Sequence, residues 1–143
     1  MDFNVPKDIQ DKIEELDEFI EREIKPLEKQ NMQFFDYRRE NARTDWDNDG
    51  KPTKEWETLL RQMKDMADAA GHLRFALPKE IGGQDGSNLA MAMIREHLAH
   101  KGLGLHNDLQ NESSIVGNFP LVHMMWRFGT DAQKEEFLPA LIT

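Results

Sequence analysis

The chain has 143 residues, the length of one ordinary domain, and 38% of them are hydrophobic, which is enough to build a core. Its net charge of −9 at pH 7 argues against nucleic acid or an anionic membrane as the main partner, since both repel an acidic protein. The absence of cysteine excludes disulfides, zinc–thiolate sites and a cysteine nucleophile. The sequence shows neither an apolar run of the roughly 18 residues that a membrane span needs nor a secretory signal, and we therefore expect a cytoplasmic protein.

The first predicted element is an amphipathic helix over residues 8–25. Its apolar side chains recur at steps of three and four residues and so form one stripe. They are Ile9, Ile13, Leu16, Ile20 and Ile24. Pro26 is expected to break or kink this helix, because proline has no N–H and its ring collides with the preceding turn, and residues 27–32 are the candidate continuation beyond it. A polar loop is predicted to follow at about residues 38–53.

Two further helices are predicted in the middle of the chain. Thr53 would cap a helix over residues 54–70, which Gly71 would end. The short apolar stretch from Leu73 to Leu77 is interpreted as an extended loop, because it leads at once into proline and glycine. Ser87 would cap a third helix over about residues 88–101.

The C-terminal part is also predicted to be helical. A fourth helix is expected over about residues 106–117, and Pro120 would open a fifth that stops at Gly129. Thr130 or Asp131 would cap a last helix over residues 131–141. Since no strand is predicted, the expected fold class is all-α: an orthogonal or up-down bundle of about five to six helices in one domain, residues 1–143.

Charge is concentrated in the first half of the chain. Residues 71–143 hold only 8 of the 27 acidic and 6 of the 18 basic side chains. A helical segment with so few charges usually buries more than one face. This half is therefore predicted to meet a further surface, which would be another domain, a subunit or a ligand.

Four short motifs follow one another along the chain. Residues 24–27 read Ile-Lys-Pro-Leu, residues 78–83 read Pro-Lys-Glu-Ile-Gly-Gly, and residues 95–99 read Arg-Glu-His-Leu-Ala. Residues 129–139 read Gly-Thr-Asp-Ala-Gln-Lys-Glu-Glu-Phe-Leu-Pro. In this order the motifs resemble the N-terminal helical domain of the acyl-CoA dehydrogenases, and the resemblance covers almost the whole chain. The motifs themselves are turns and helix caps, so they are architectural and not catalytic.

The resemblance implies an FAD-dependent enzyme that dehydrogenates an acyl-CoA thioester between its α and β carbons and passes electrons to electron-transfer flavoprotein. In that family the catalytic glutamate and most FAD contacts lie in later domains, which also form the homo-oligomer. The resemblance therefore implies no catalytic residue within residues 1–143. It implies that this chain alone holds no FAD and is inactive.

The family's first domain contributes part of the wall of the acyl pocket. By position this segment is about residues 107–121 here, and the resemblance implies that five of its residues line the pocket. They are Gln110, Ser113, Ser114, Gly117 and Pro120. The stretch 107–112 is unusually polar and the loop at 45–52 is long, so a polar or bulky acyl group fits the pattern as well as a plain fatty acyl chain.

Two alternatives stay open. Acyl-CoA oxidases, nitroalkane oxidases and some flavin monooxygenases share this first domain, so the reaction differs among relatives with the same fold. A non-catalytic helical module that pairs with itself or with a separate flavoprotein subunit would also explain the weakly charged half.

Possible metal sites have simpler interpretations. Residues 45–50 resemble the start of an EF-hand calcium loop, but Trp56 stands where that loop needs its bidentate glutamate. A solvated acidic turn is therefore favoured. His97, His100 and His106 are spaced like metal ligands, yet no carboxylate or thiol set completes a site, and hydrogen-bonded imidazoles are favoured.

Possible catalytic and ligand-binding groups also have simpler structural interpretations. Glu96 is expected to pair with a basic side chain and not to act as a base. Ser113 and Ser114 show no partnership with a histidine and an acid, so nucleophilic catalysis is not supported. One apolar cluster is expected to pack against an adjacent helix or domain in preference to a ligand, and it consists of Met124, Met125, Trp126 and Phe128.

Overall fold

The computed structural model describes residues 4–36, 39–108 and 113–142. Helices dominate this part of the chain. They are α1 (Lys7–Phe19), a π-helical turn (Ile20–Ile24), α2 (Lys25–Gln30), a short 3-10 turn (Met32–Phe34), α3 (Arg39–Arg43), α4 (Lys54–Ala69), a second 3-10 turn (Lys79–Ile81), α5 (Asn88–His100), α6 (Pro120–Phe128) and α7 (Asp131–Leu141). Because α1, the π turn and α2 follow without a gap, the described residues form six helices, and the all-α prediction is confirmed.

The helix that was expected to break or kink at Pro26 continues through it to Gln30. The π turn directly before Pro26 explains this. The N–H of Lys25 donates to the carbonyl of Ile20, five residues back, which widens the turn. Proline is tolerated in the first turn of the following segment, α2, where its missing N–H is not needed.

The predicted polar loop at 38–53 is more ordered than its composition suggested. It holds α3 and an antiparallel hairpin of two short strands, β1 (Thr44–Asp45) and β2 (Lys51–Pro52). Asp49 and Gly50 take left-handed backbone conformations, with φ of 57° and 68°, which lets the chain reverse between the strands. The expectation of an irregular loop was therefore wrong.

The helix predicted over 106–117 is absent from the described residues there. In its place β3 (Asn107–Asp108) pairs with β4 (Ser113–Ser114) in a second antiparallel hairpin. Asparagine, aspartate and serine compete with helical hydrogen bonds through their side chains, and this segment is rich in them. Ile115 and Val116 are adjacent and both fully buried, a pattern that does not match the one-sided burial of a surface helix. The prediction that the chain has no strands was wrong at both hairpins.

The other helix ends are confirmed by their caps. The side chain of Thr53 accepts from the N–H of Trp56 at 3.4 Å, and that of Ser87 accepts from the N–H of Ala90 at 3.1 Å. At the start of α7, Thr130 and Gln133 form a reciprocal capping box. These local contacts fix where three of the predicted helices begin.

Leu73 to Leu77 lie in a loop between α4 and α5 as predicted, but this loop is folded into turns and is not extended. The N–H of Phe75 donates to the carbonyl of His72 at 3.2 Å, and that of Leu77 donates to the carbonyl of Arg74 at 2.9 Å. Gly71 is left-handed with φ of 76° and ends α4. At Gly83 a side-chain carbon would lie 1.9 Å from the carbonyl oxygen of Leu77, so only glycine allows this close approach of two backbone segments.

Two groups of buried side chains hold the helices together. The larger group joins α1, α2, α4 and α5 around Leu16, Ile20, Met63 and Ile94. The smaller group joins the loop at Leu77 to α6 and α7. Among the described residues, no helix is both long enough and apolar enough to cross a lipid bilayer.

Candidate functional site

The segment expected to form the acyl wall is the β3–β4 hairpin and the chain that leads to α6. In the hairpin, Asn107 pairs with Ser114 and Asp108 pairs with Ser113. Asn107 and Asp108 are only 2% and 5% exposed, so the base of the hairpin is part of the protein interior. Gln110, one of the five predicted wall residues, lies outside the described residues.

The two predicted serines stand side by side on β4 with different surroundings. Ser114 is buried, and its hydroxyl donates to the carbonyl of His106 at 3.3 Å and accepts from the N–H of Val116 at 3.3 Å. Ser114 therefore stabilises the hairpin. Ser113 is half-buried on the neighbouring position, so the two serines present opposite sides of the strand.

Gly117 and Pro120 lie along the chain that leaves the hairpin. The N–H of Gly117 donates to the carbonyl of Leu73 at 2.9 Å, and a side-chain carbon there would lie 2.4 Å from the ring of Phe119. Gly117 thus lets the chain pass close to the α4–α5 loop. Pro120 is exposed in the first turn of α6. The structure groups Ser113 and Ser114 in one hairpin and places Gly117 and Pro120 outside it.

A buried arginine that the sequence analysis did not single out holds this hairpin. Arg43 is 6% exposed and forms an ion pair with Asp108. Its Nε donates to the carbonyl of Phe34 at 2.8 Å, and its guanidinium carbon lies 4.0 Å from the centre of the Trp56 ring. Buried charges are tolerated only when they are paired and hydrogen-bonded, and these contacts satisfy that condition.

A second anchor joins α2 to the loop before the hairpin. The carboxylate of Glu28 accepts the N–H of Leu105 at 2.6 Å. A side-chain carbon at Gly104 would lie 2.6 Å from the same carboxylate, so glycine makes room for the contact. Next to it, burial lowers the pKa of His106, whose Nε2 lies 3.4 Å from the carbonyl oxygen of Leu98. His106 is therefore neutral at physiological pH and packs as part of the interior.

Among the other candidate ligands, His97 has a structural role. His97 Nε2 lies 2.8 Å from Asp17 Oδ1, and Lys101 Nζ lies 2.9 Å from the same oxygen, which ties α5 to α1. Burial alone would raise the pKa of Asp17, but the hydrogen bonds from His97 and Lys101 outweigh it and the pKa is lowered. Glu96 lies on the exposed side of α5.

Neither proposed metal site gathers a ligand set. In the part of the chain that the structure describes, no three histidine, aspartate or glutamate side chains are placed to hold one ion. The carbonyl of Asp45 accepts the N–H groups of Asn48 and Gly50, so the calcium-like stretch is the turn of the β1–β2 hairpin.

The apolar cluster of α6 divides between two faces. Met125 and Trp126 pack in the smaller core group with α7. Leu121, Met124 and Phe128 point away from it and are 57%, 55% and 76% exposed. These three residues, spaced by three and four, form an apolar stripe along α6 and fit the predicted contact with a further surface.

A surface cavity of about 360 Å³ lies beside α4 and offers the first place to test for FAD. Its charged lining has as many acidic as basic side chains. They are Glu57, Asp65, Asp68, Arg61, Lys64 and Arg74. FAD needs an apolar slot for its ring system and donors for its two phosphates. The basic side chains of this cavity are donors, but the acidic side chains among them repel phosphate, and only Leu60, Leu73 and Ile142 are left to form an apolar slot. The residues of this cavity do not fit the cofactor.

The comparison with protein families agrees with this geometry. A family model described as "Acyl-CoA dehydrogenase, N-terminal domain" matches residues 7–143, which includes every helix and both hairpins. No curated protein and no solved structure matches the chain. The family match spans nearly the whole chain and agrees with the helical fold. The chain therefore belongs to the acyl-CoA dehydrogenase family, through the N-terminal helical domain of that family.

Proposed function

We propose that this chain is the first domain of an FAD-dependent acyl-CoA dehydrogenase and that the β3–β4 hairpin supplies part of the surface that binds the acyl group. The observation that carries the proposal is the buried, hydrogen-bonded base of this hairpin within a chain that matches the family's N-terminal domain. A wall that selects an acyl group must keep its shape, and a hairpin fixed by Arg43 and Glu28 meets that requirement.

The chemistry of dehydrogenation is assigned to other parts of the enzyme. Held by those other parts, FAD would supply the acceptor for the hydride of the β carbon. The carboxylates described near the hairpin have structural tasks, since Glu28 holds the N–H of Leu105 and Asp108 pairs with Arg43. We therefore propose that the 143-residue chain alone neither oxidises acyl-CoA nor retains FAD.

A photolabelling experiment tests the proposed acyl wall. The intact FAD-loaded enzyme that carries this domain is irradiated with an acyl-CoA whose acyl chain bears a diazirine, and labelled peptides are identified by mass spectrometry. Labels are expected within residues 107–121 and should disappear when an excess of unlabelled acyl-CoA competes. Competable labels only on other parts of this domain would refute the proposal.

The electron acceptor separates the dehydrogenase from its relatives. We propose that the intact enzyme passes its electrons to electron-transfer flavoprotein. In an assay where an artificial dye replaces that protein as the acceptor, turnover should reduce the dye, and turnover in air should release little hydrogen peroxide. Stoichiometric peroxide would instead identify an acyl-CoA oxidase with the same first domain.

The exposed stripe of Leu121, Met124 and Phe128 supports a second candidate, a non-catalytic module that pairs through this surface. Size-exclusion chromatography with light scattering measures the molar mass of the chain. Together with an assay of acyl-CoA binding, it distinguishes the dehydrogenase domain from the non-catalytic module. A stable dimer that forms through this stripe, together with no acyl-CoA binding by the intact protein, would favour the module.

A further inference from the structure

We propose that Arg43 is a positioning residue for the acyl wall, which holds the β3–β4 hairpin through Asp108 and thereby sets the range of acyl groups that the wall admits. This inference rests on the proposed function of the hairpin. Arg43 itself lies in a different part of the sequence, at the end of α3, and contacts the hairpin at Asp108.

The guanidinium of Arg43 is held from several sides before it reaches Asp108. Its Nε donates to the carbonyl of Phe34 at 2.8 Å, and its guanidinium carbon lies 4.0 Å from the Trp56 ring and 5.3 Å from the Phe35 ring. A planar cation that donates at its edge and stacks on aromatic rings has one favourable orientation. Arg43 is therefore a fixed point in the core, against which another element can be placed.

Asp108, on β3, joins the hairpin to Arg43. It is 65 residues from Arg43 in sequence, and both side chains are 7% exposed. Since breaking a buried ion pair is costly, the aspartate cannot move away from the arginine without destabilising the fold. The position of β3 is therefore linked to the position of Arg43.

The linkage reaches the predicted wall through the pairing of the strands. Asp108 stands opposite Ser113, and Asn107 stands opposite Ser114. A shift of Asp108 must carry Ser113 with it or break the pairing, and Ser113 belongs to the proposed wall. Arg43 contacts the hairpin through Asp108, which is not one of the five predicted wall residues, so the proposed effect of Arg43 on the acyl group runs through the position of the hairpin.

Two conservative substitutions and one control isolate this role. R43K keeps the positive charge but loses the planar fork and the stacking, and D108N keeps the shape of the side chain but loses its charge. D68N is the control, because it also removes the charge of an aspartate from an ion pair, the one with Arg74 at 2.8 Å, and that pair is about one-third exposed and includes no residue of the hairpin.

The measurement is the acyl preference of the intact FAD-loaded enzyme. Dissociation constants are determined for butyl-, octyl- and hexadecyl-CoA thioethers, which bind without reacting, and kcat and KM are determined for the matching thioesters. R43K and D108N are expected to change the ratio of dissociation constants between the shortest and longest probe by about tenfold, because a small displacement of a binding wall has a large effect. D68N should change that ratio by less than about twofold.

A double variant separates the positioning of the hairpin from the general stability of the fold. R43M/D108L replaces the buried ion pair by an apolar pair, which proteins often tolerate. It should fold, as judged by its circular dichroism and melting curve, and should still show an altered acyl preference. If the folded double variant keeps the wild-type ratio, the ion pair does not position the wall and the inference is refuted.

The remaining outcomes distinguish the inference from the function on which it rests. Unchanged ratios in folded R43K and D108N, with normal binding by the unmodified enzyme, overturn the inference and leave the proposed function standing. Failure of the unmodified enzyme to bind any thioether overturns the proposed function and the inference with it. Amide hydrogen exchange at Ile115, whose N–H donates to the carbonyl of His106 at 3.1 Å, gives a readout without substrate, and faster exchange in R43K than in D68N is expected.

Discussion

We predict that the folded protein loses stability in mild acid because of one buried side chain, His72. Its side chain is 5% exposed, its ring meets the ring of Phe19 edge-on at 4.9 Å, and its Nδ1 has no hydrogen-bond partner among the described residues. Burial, with a smaller contribution from the positive charge of Lys12, lowers the pKa of His72 from 6.5 to about 4. The folded protein therefore holds this imidazole in its neutral form.

The sign of the pH dependence follows from this lowered pKa. Above pH 6.5 the imidazole is neutral in both the folded and the unfolded chain, and the folded state keeps its full stability. Below that pH the unfolded chain binds a proton that the folded chain does not bind until about pH 4. A shift of this size corresponds to about 3 kcal/mol of unfolding free energy, lost progressively as the pH falls through this window.

The assay is urea unfolding at a series of pH values, followed by circular dichroism, on the unmodified chain and on H72L. Leucine does not titrate. Between pH 6.5 and about pH 4, the unfolding free energy of H72L should therefore fall by about 3 kcal/mol less than that of the unmodified chain, whatever the stability of H72L at neutral pH. H123Q, a substitution at an exposed histidine on α6, should follow the unmodified chain. If H72L and the unmodified chain lose stability in parallel, His72 is not held neutral and the reasoning is refuted.

Three further predictions concern stability and use the same urea assay. G83A should cost at least about 2 kcal/mol, because the added carbon meets the carbonyl oxygen of Leu77, and a wild-type midpoint would contradict the observed approach. T130A removes the capping box of α7 and should cost about 1 kcal/mol, whereas T130S should retain most of the stability. R43M alone should cost about 3 to 5 kcal/mol by breaking the buried ion pair with Asp108, and adding D108L should restore most of it; equal stability of the single and double variants would show that the pair is not coupled.

Sequence reasoning succeeded where the structural signal is local. Thr53, Ser87 and Thr130 each satisfy an N–H within three residues, so the start of a helix can be predicted from a few neighbouring letters. Gly71 ends its helix in the same local way. These short-range contacts are the reason that most of the helical order along the chain was predictable.

The sequence analysis missed both the hairpins and the buried arginine, for different reasons. The hairpins pair residues that are close in sequence, and the left-handed Asp49–Gly50 turn is a local hairpin signal that was not used. The burial of the arginine depends on a long-range contact. Arg43 stands in a stretch of charged residues that is typical of a solvated loop, and only its pairing with the distant Asp108 shows that it is buried. The segment around Ile115 has enough apolar residues for a helix, but the pairing of its polar neighbours decides for a hairpin. The π turn before Pro26 was missed since its composition does not differ from that of an ordinary helix.

The polar contacts that join the start of the chain to its middle also bear on its synthesis. Asp17 contacts His97, Glu28 contacts Leu105 and Arg43 contacts Asp108, across separations of 80, 77 and 65 residues. Residues 7–43 therefore leave the ribosome long before their partners are made, and α1 presents its apolar stripe without α5 during that interval. Contacts of such long range slow folding and extend the exposure of apolar surface. The larger core includes Ile115 and Val116, so the nascent chain can close it only after residue 116 has emerged, which makes this interval the stage at which a chaperone has most to protect.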